Sequence, residues 1–318
     1  MSDRGNLIII SLLIMLSIAL SIYASGPGTS AGEFLRVGIG ARPLGMGEAY
    51  SAISDDVNAI NSNPAGIVEI EKNEVSLTHI KWFAGIGLEN ILFAKSIKEK
   101  GAIGIGLTSL DSGNIPETDM DALGEIIETG RDYKITDIAL IISYATKLNA
   151  KLFGVKVPVS SIGLNIKYYQ EQIKDSKSNG LGIDCGFKYN IPKQNISLSL
   201  VVQNLGSQIN GFNDKKESLP LNLRLGGTYR RNIIGKIGLT SAIDIEKSHY
   251  DETILYIGSE FKYRFFAFRA GYNTDKLRDS KISAGLGFEF LDKYRLDYAW
   301  VPYTLLGDTH RVSLIAKF

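Results

Sequence analysis

The side chains most capable of chemistry are scarce in this sequence. Its 318 residues include three histidines and a single cysteine, Cys185. The histidines lie far apart and share none of the short spacings of metal ligands, so we predict no metal site. One cysteine excludes an intramolecular disulfide, and we expect Cys185 at a packed position in a strand.

Serine and histidine recur together near both ends of the chain, which raises the question of a hydrolase. Ser76 lies three residues before His79, and Ser313 lies three residues after His310. Because side chains alternate between the two faces of a strand, an odd offset puts each pair on opposite faces. No nucleophile motif surrounds either serine, so we predict that the protein is not an enzyme.

Charge and glycine spacing argue against two further classes. The 35 basic and 34 acidic residues nearly cancel, whereas nucleic-acid binding needs a clustered positive surface, so no nucleic-acid partner is predicted. The pairs Gly38-x-Gly40 and Gly45-x-Gly47 lack the third glycine of a dinucleotide-binding fingerprint. We predict no cofactor.

Charged side chains nevertheless fall in a pattern, because they alternate with apolar ones in short runs. If these runs are strands of a barrel, the charges point into its lumen, where they pair with one another or simply make the interior polar. The predicted luminal charges are Lys167, Arg224, Asp244, Glu246, Glu260, Lys262, Arg269, Glu289, Arg295, Asp297 and Arg311.

The elements that carry these residues have a period of two, which is typical of strands. Most candidate strands are 9 to 14 residues long, as suits tilted membrane strands rather than the shorter strands of soluble sheets. A secreted soluble β protein is the alternative. The predicted strands are 74–83, 87–97, 101–111, 135–148, 160–173, 180–191, 195–206, 220–231, 237–248, 253–264, 265–274, 281–291, 294–302 and 310–318.

The connections support the membrane interpretation. Bacterial barrels alternate short periplasmic turns with longer outer loops. Both long insertions, 112–134 and 207–219, fall on the same side, while most connections on the other side are short. Residues 149–159 depart from this rule and are expected to extend neighbouring strands or to form a hairpin. We therefore predict an all-β fold, a transmembrane antiparallel barrel of about 14 strands over 74–318, in contact with outer-membrane lipids.

The first residues resemble an export signal. Arg4 precedes an apolar run, Leu7 to Ala24, which is followed by small residues with candidate cleavage sites at Ala24-Ser25-Gly26 and Thr29-Ser30-Ala31. A retained membrane anchor is the alternative, since the run nearly reaches spanning length. We predict a signal peptide over 1–31 and localisation in the outer membrane.

Residues 32–73 are predicted to form a plug inside the barrel, because the lumen of fourteen strands is too wide for wall side chains alone to fill. We expect a short helix over 44–53, a second helix beginning near the two aspartates, and a capped turn that stops at the last glycine. A surface extension is the alternative. The predicted plug residues are Gly45, Met46, Gly47, Asp55, Asp56, Asn63, Pro64, Ala65 and Gly66.

Both ends of the chain carry a family resemblance. The stretch "ARPLGMGEAYSAISDDVNAINSNPAGI" resembles the N-terminal signature of the PorV/PorQ-like family, within the FadL superfamily of outer-membrane barrels. The ending "LDYAWVPYTLLGDTHRVSLIAKF" is similar to the same family, and its terminal Phe318 resembles the signal read by the barrel-assembly machinery. The resemblance implies a 14-stranded barrel with a luminal hatch. Glu48 departs from it, since many relatives have glycine there.

The resemblance implies two different functions. PorV-like barrels bind secreted or surface protein cargo for a type IX secretion system, which we take as the main prediction. FadL-like barrels transport long-chain fatty acids or other hydrophobic molecules, which is the alternative. The acidic, amphipathic segment Asp121–Thr129 fits either, as part of an apolar pocket near the outer loops or as a surface that docks a protein.

Overall fold

The computed structural model describes residues 30–97, 100–148, 151–152, 155–156, 160–191, 193–212, 216–233, 235, 237–248, 253–276, 280–303 and 307–318. Within these residues, fourteen antiparallel strands close into one barrel, in which the first strand pairs with the last. The predicted all-β fold and strand number are confirmed. The predicted signal peptide lies almost wholly outside the described residues.

Eighteen strands are present in the described chain, fourteen in the barrel and four in two separate hairpins. Their bounds are β1 Glu74–Lys81, β2 Gly87–Ser96, β3 Ala102–Asp111, β4 Ile115–Met120, β5 Ile126–Tyr133, β6 Ile135–Leu148, β7 Lys151–Leu152, β8 Val155–Lys156, β9 Ser160–Ile173, β10 Ser176–Ile191, β11 Ile196–Asn210, β12 Asn222–Asn232, β13 Ile237–Ser248, β14 Ile254–Tyr263, β15 Phe266–Asn273, β16 Ile282–Phe290, β17 Tyr294–Tyr303 and β18 Gly307–Lys317.

Burial alternates along the barrel strands as the sequence pattern predicts. In β6, for example, Ile138, Leu140 and Ile142 are exposed on the outside, while Ala139 and Ile141 are buried inside. The outer face therefore presents an apolar band, as expected of a surface in contact with hydrocarbon. No helix among the described residues is long and apolar enough to cross a membrane.

The predicted alternation of short connections at one end of the barrel and longer connections at the other is confirmed. One end of the barrel, here the short-turn end, carries tight turns such as those between β14 and β15 and between β16 and β17. The opposite long-loop end carries the β4–β5 hairpin and the connection between β11 and β12. Of the two alternatives for residues 149–159, strand extension and a hairpin, the hairpin is present, as β7 and β8. In bacterial outer-membrane barrels, the end that carries the longer loops faces outward.

One sequence prediction about the barrel was wrong. Cys185 lies in a strand, but its side chain is exposed on the outer face of the barrel. It directly follows Asp184, whose side chain is buried inside, and consecutive side chains of a strand point to opposite faces. The insertion 112–134, for which no strand was predicted, contains β4 and β5, which pair with each other beyond the barrel.

The N-terminal segment, residues 30–73, lies against the inner face of the barrel. It contains helices α1 Ala41–Gly45 and α2 Ala59–Ser62 and 3-10 turns at Glu33–Arg36 and Pro64–Glu69. The described part of the segment begins near the long-loop end, where the Ala31 N–H donates to the Ser218 carbonyl oxygen at 3.1 Å. It then winds through the lumen to the start of β1 at the short-turn end. The segment is largely buried.

The helices of this segment differ from those predicted. α1 ends at Gly45 because Gly47 and Glu48 both have left-handed backbone, with φ of 62° and 70°. α2 begins at Ala59, three residues after Asp56, so the aspartates do not sit at its first turn. The 3-10 turn after Asn63 continues past Gly66 to Glu69. Gly66 is instead required by packing, since a Cβ there would lie 2.0 Å from the Ser54 carbonyl oxygen.

Candidate functional site

A buried guanidinium joins the N-terminal segment to the barrel wall. Arg42, in α1, donates from Nε and Nη2 to the two carboxylate oxygens of Glu260 on β14, both at 3.0 Å. Its Nη1 reaches Asp55 at 2.6 Å and Asp56 at 2.9 Å within the same segment. Such bidentate, charge-assisted hydrogen bonds fix orientation as well as charge.

The ion pairs continue along the wall and return to the segment. Glu260 accepts from Arg269 Nε at 2.6 Å, and Arg269 Nη1 donates to Asp297 at 2.8 Å. Asp297 accepts from Arg295 Nε at 2.7 Å, and Arg295 Nη2 donates to Asp56. Three arginines and three carboxylates therefore form a closed ring of ion pairs. The ring, here called the latch ring, consists of Arg42, Glu260, Arg269, Asp297, Arg295 and Asp56.

The ring determines the ionisation of the segment's two aspartates. Burial tends to raise the pKa of Asp56, but the guanidinium groups of Arg295 and Arg42 outweigh burial and hold that pKa well below its usual range. Burial also acts on Asp55, whose pKa is lowered because Arg42 and Arg230 lie close to its carboxylate. Both side chains are consequently charged at neutral pH, as the latch requires.

Hydrogen bonds from the wall to the backbone of the segment add to the latch. Asp244 on β13 accepts from the N–H groups of Tyr50 and Ser51, at 3.1 and 2.9 Å. Lys188 Nζ on β10 donates to the Ile53 carbonyl oxygen at 2.6 Å. Asn165 on β9 donates to the Ile60 carbonyl oxygen at 2.8 Å. A segment poor in regular structure thus has some of its backbone polar groups satisfied by the barrel.

The turn at Asn63 and Pro64 packs against two strand glycines. Asn63 Oδ1 accepts from the Ala65 N–H at 3.1 Å, which caps the turn as predicted, and its Nδ2 donates to the Ser51 carbonyl oxygen at 2.9 Å. A Cβ at Gly163 would lie 2.3 Å from the backbone of this turn, and one at Gly186 would lie 2.1 Å from Asn63 Oδ1. Only glycine permits this approach of segment to wall.

A cavity of about 440 Å³ lies above the latch ring, towards the long-loop end. The N-terminal segment forms one side of this outer cavity, and strands from around the barrel form the other. Its lining includes the apolar and aromatic side chains Phe34, Leu35, Val37, Ile39, Trp82, Phe83 and Tyr303.

The base of the outer cavity is polar but balanced in charge. Lys167 Nζ pairs with Asp184 at 2.8 Å and also donates to Asn204 Oδ1 at 2.8 Å. Arg224 Nε donates to Glu246 at 2.9 Å. The charged side chains lining the cavity are four basic, Arg36, Lys167, Arg224 and Arg311, and four acidic, Glu33, Glu48, Glu246 and Asp275.

A second cavity, of about 160 Å³, opens near the short-turn end. Its lining is mostly charged and includes Arg42, Glu260 and Arg269 of the latch ring. Lys262 and Glu289, two predicted luminal charges, pair there at 2.6 Å and are partly exposed. This second cavity is the inner cavity. The latch ring therefore contributes to the wall of the inner cavity, whereas the apolar residues named above line the outer cavity.

The sequence-predicted site residues fall into three groups. The predicted luminal charges all lie on inner-face positions, and four of the eleven, Glu260, Arg269, Arg295 and Asp297, belong to the latch ring. Gly45 and Gly47 contact the wall closely, and a Cβ at Gly47 would lie 2.6 Å from the Tyr272 backbone nitrogen. Phe318 is exposed on the outside, and its backbone exchanges two hydrogen bonds with Asn73.

Ser76 and Ser313 are buried inside, while His79 and His310 are exposed outside, as the odd offset predicts. Among the described residues, no group of three potential ligands could hold a metal ion.

Sequence reasoning missed the centre of the site. Arg42 was not singled out, although it is the sole charged side chain between Val37 and Glu48, in a stretch of small and apolar residues. The position of one charged residue among small and apolar ones was the signal in the sequence that could have identified Arg42, since a charge buried in a packed segment needs a partner. Trp82 and Phe83 were missed too, because the predicted strand 74–83 included them, whereas β1 ends at Lys81 and both lie in the connection to β2.

The fold and the lumen identify a class of protein, a closed β-barrel that holds its own N-terminal segment inside. The chain belongs to an uncharacterised protein family, UPF0164, whose model matches residues 25–313.

Solved structures with the same fold include the toluene transporter TbuX of Ralstonia pickettii, with a TM-score of 0.60 and 12% sequence identity, over 88% of this chain and 98% of that one. The toluene transporter TodX of Pseudomonas putida has a TM-score of 0.58 and 14% identity, over 87% and 96%. The monoaromatic hydrocarbon channel CymD gives 0.59 and 12%, over 89% and 98%. At these identities the likeness concerns the fold alone. No curated protein sequence matches significantly.

Proposed function

We propose that this protein is an outer-membrane channel that binds a small hydrophobic molecule in the outer cavity and admits it past the N-terminal segment. The observation that carries the proposal is the outer cavity itself, whose lining includes the apolar and aromatic side chains named above. Ligand sites of this kind combine apolar walls with a few placed polar groups. The fold shared with hydrocarbon channels supports the same class of cargo.

In this proposal the N-terminal segment is the plug, and the latch ring keeps it in place. The ring contributes to the lining of the inner cavity and ties Arg42 and Asp56 to three strands of the wall. A molecule bound in the outer cavity reaches the short-turn end only if the segment shifts or the wall opens. The signal peptide and the barrel-assembly signal at Phe318 remain predictions of the sequence.

Binding is testable because one of the two tryptophans lines the cavity. Trp300, in β17, does not line the outer cavity, so a Trp300→Phe variant leaves Trp82 as the single reporter. The variant, reconstituted in lipid nanodiscs, is titrated with toluene while tryptophan emission is recorded. We expect a saturable change in emission. A change that stays linear in toluene, as for partition into lipid, would exclude a binding site at this cavity.

A second candidate function, binding of a protein cargo, is favoured by the β4–β5 hairpin. Met120, Leu123 and Ile126 at its tip are 71%, 86% and 74% exposed, which is unusual for large apolar side chains clustered together. The stretch 115–133 also carries six acidic residues and one arginine. This surface fits the PorV/PorQ-like role that the sequence resemblance implies.

The two candidate functions predict that different molecules copurify with the protein when it is extracted from the membrane. Mass spectrometry of gently purified protein would detect a stoichiometric apolar molecule if the cavity is a transport site. A constant protein partner would favour the second function, provided that it is lost when Met120, Leu123 and Ile126 are replaced by serine. Loss of the partner without any change in the barrel would place binding at the hairpin.

A further inference from the structure

Closure of the barrel brings together two histidines that are far apart in sequence. β1 pairs with β18, and in that register Lys81 lies directly opposite His310, while His79 lies opposite Val312. His79 and His310 are therefore diagonal neighbours on one face of the sheet, with Cα atoms about 7–8 Å apart. All three basic residues are exposed on the outer face. Lys81, His79 and His310 are here called the basic triad.

A hydrogen bond to a neighbouring strand holds each histidine ring. His79 Nδ1 lies 2.6 Å from a carboxylate oxygen of Glu89 on β2. His310 Nδ1 lies 2.8 Å from the hydroxyl oxygen of Tyr298 on β17, and the two rings stack. A hydroxyl that donates to Nδ1 leaves the hydrogen of a neutral imidazole on Nε2. Within the described residues, Nε2 of neither ring has a hydrogen-bond partner, so both are open to a ligand.

The ammonium group of Lys81 is also open to a ligand. Lys81 forms no ion pair with any described residue, because Glu89, the carboxylate on the adjoining strand, is bonded to His79 instead. The residue opposite Lys81 on β2 is Gly87, and no atom lies within 4 Å of the place where a Cβ on that glycine would be. Asp308 is exposed too, but it lies one row further towards the loops. Space for an anionic group therefore remains beside Lys81.

The basic triad lies at the edge of the apolar band, towards the long-loop end. Tyr298 and Trp300 lie at the same level on β17, and such aromatic residues mark the boundary between hydrocarbon and lipid headgroups. The triad therefore faces headgroups rather than hydrocarbon. The row next to it, towards the short-turn end, is apolar and 40% to 49% exposed, and consists of Leu77, Ile91, Leu296 and Leu314.

We propose that the basic triad binds the phosphate group of a lipid in the outer leaflet. Lys81 supplies its ammonium group and His310 its Nε2–H, while His79, paired with Glu89, adds a third donor as an imidazolium. Charge-assisted hydrogen bonds to phosphate are stronger than those between neutral groups. The acyl chains of the same lipid cover the apolar row. This site is on the outside of the barrel and is independent of the outer cavity.

Three probes separate the phosphate from the chains: dioleoyl phosphatidic acid, dioleoylglycerol and inorganic phosphate. Native mass spectrometry of the full barrel in detergent micelles gives the dissociation constant of the first bound molecule of each. We expect phosphatidic acid to bind about tenfold more tightly than dioleoylglycerol, which has the same chains, as one charge-assisted hydrogen bond allows. Inorganic phosphate should bind more weakly than phosphatidic acid, because it has no chains to cover the apolar row.

Variants locate the preference for phosphate. Lys81→Gln and His310→Gln each remove one donor, so the affinity ratio of phosphatidic acid to dioleoylglycerol falls several-fold towards one. Both changes are at exposed positions, and heat-modifiable migration in gels checks that each barrel folds. Lys95→Gln is the matched control, since it removes one positive charge from the outer face of β2 near the short-turn end. It should keep the ratio of the wild type.

Four results would overturn the proposal. One is equal affinity of the wild type for phosphatidic acid and dioleoylglycerol. A second is an unchanged ratio in both Lys81→Gln and His310→Gln. A third is an equal fall in Lys95→Gln, because any surface charge would then serve. The fourth is inorganic phosphate binding as tightly as phosphatidic acid, which would make this a site for the free ion. None of these results bears on the proposed function of the outer cavity.

Discussion

Arg42 and Glu260 are 218 residues apart in sequence and share two hydrogen bonds of 3.0 Å. One belongs to the N-terminal segment and the other to the barrel wall, and both are buried. This pair is the direct bidentate link between segment and wall, and the rest of the latch ring surrounds it. Its strength should therefore govern how firmly the segment stays inside the barrel.

Replacing Arg42 with methionine should loosen the segment. The change leaves Asp55, Asp56 and Glu260 with fewer cationic partners, and breaking a buried ion pair costs about 3–5 kcal/mol. We expect higher conductance in planar bilayers, while the barrel still shows heat-modifiable migration in gels. Lys72→Met, at an exposed residue of the same segment, removes one positive charge as a matched control. Equal conductance of the two variants would contradict the latch.

Replacing Asn63 and Pro64 with alanine should also raise permeability to small solutes. The Asn63 cap of the turn contributes about 0.5–2 kcal/mol, and the substitution also removes its hydrogen bond to Ser51. Uptake of a small dye by proteoliposomes measures the effect. If uptake stays at baseline while the barrel folds normally, the plug assignment loses its main support.

Gly163→Ala should displace the turn from the wall. The added Cβ would lie 2.3 Å from the backbone of the turn, and overpacking of this kind costs about 1–3 kcal/mol. Limited proteolysis would detect earlier cleavage of the N-terminal segment. At Gly227, also in a barrel strand, the nearest atom to an added Cβ is 3.8 Å away. Gly227→Ala should leave proteolysis as in the wild type.

Phe318→Ala should slow assembly without weakening the finished barrel. The two hydrogen bonds between Phe318 and Asn73 come from the backbone and survive the change. The exposed ring is the part that an assembly machinery would read. We expect less folded protein in the membrane during a pulse-chase experiment, and an unchanged temperature of unfolding for the folded fraction. A lower unfolding temperature would instead make the ring a structural contact.

The latch should withstand mild acid and fail in strong acid. Because the folded-state pKa of Asp56 lies below its ordinary value of 3.8, its ionisation stabilises the latch fully above that value. That contribution is lost as the pH falls from there through the lowered pKa. Conductance should thus be flat between pH 7 and 5 and rise only below about pH 4. In Asp56→Asn the acid-dependent rise should shrink, and an unchanged rise would assign it to other groups.

Local patterns in the sequence determine the wall of this protein. Alternation with a period of two gives fourteen strands and the face of each side chain, because strand geometry fixes that period whatever the strand pairs with. Turn and loop lengths give the two ends of the barrel. Asn63 followed by Pro64 gives a capped turn. Asparagine favours the capping position and proline favours the first position of the turn, and both preferences depend only on residues close in sequence.

The tertiary structure alone decides which charges meet. Arg42, Glu260 and Arg295 come together because barrel closure and the path of the segment bring distant residues to one place, and no local pattern encodes that distance. It also decides the helices of the segment, where left-handed backbone at Gly47 and Glu48 ends α1. The outer cavity belongs to the same category, since it exists only between the segment and the wall.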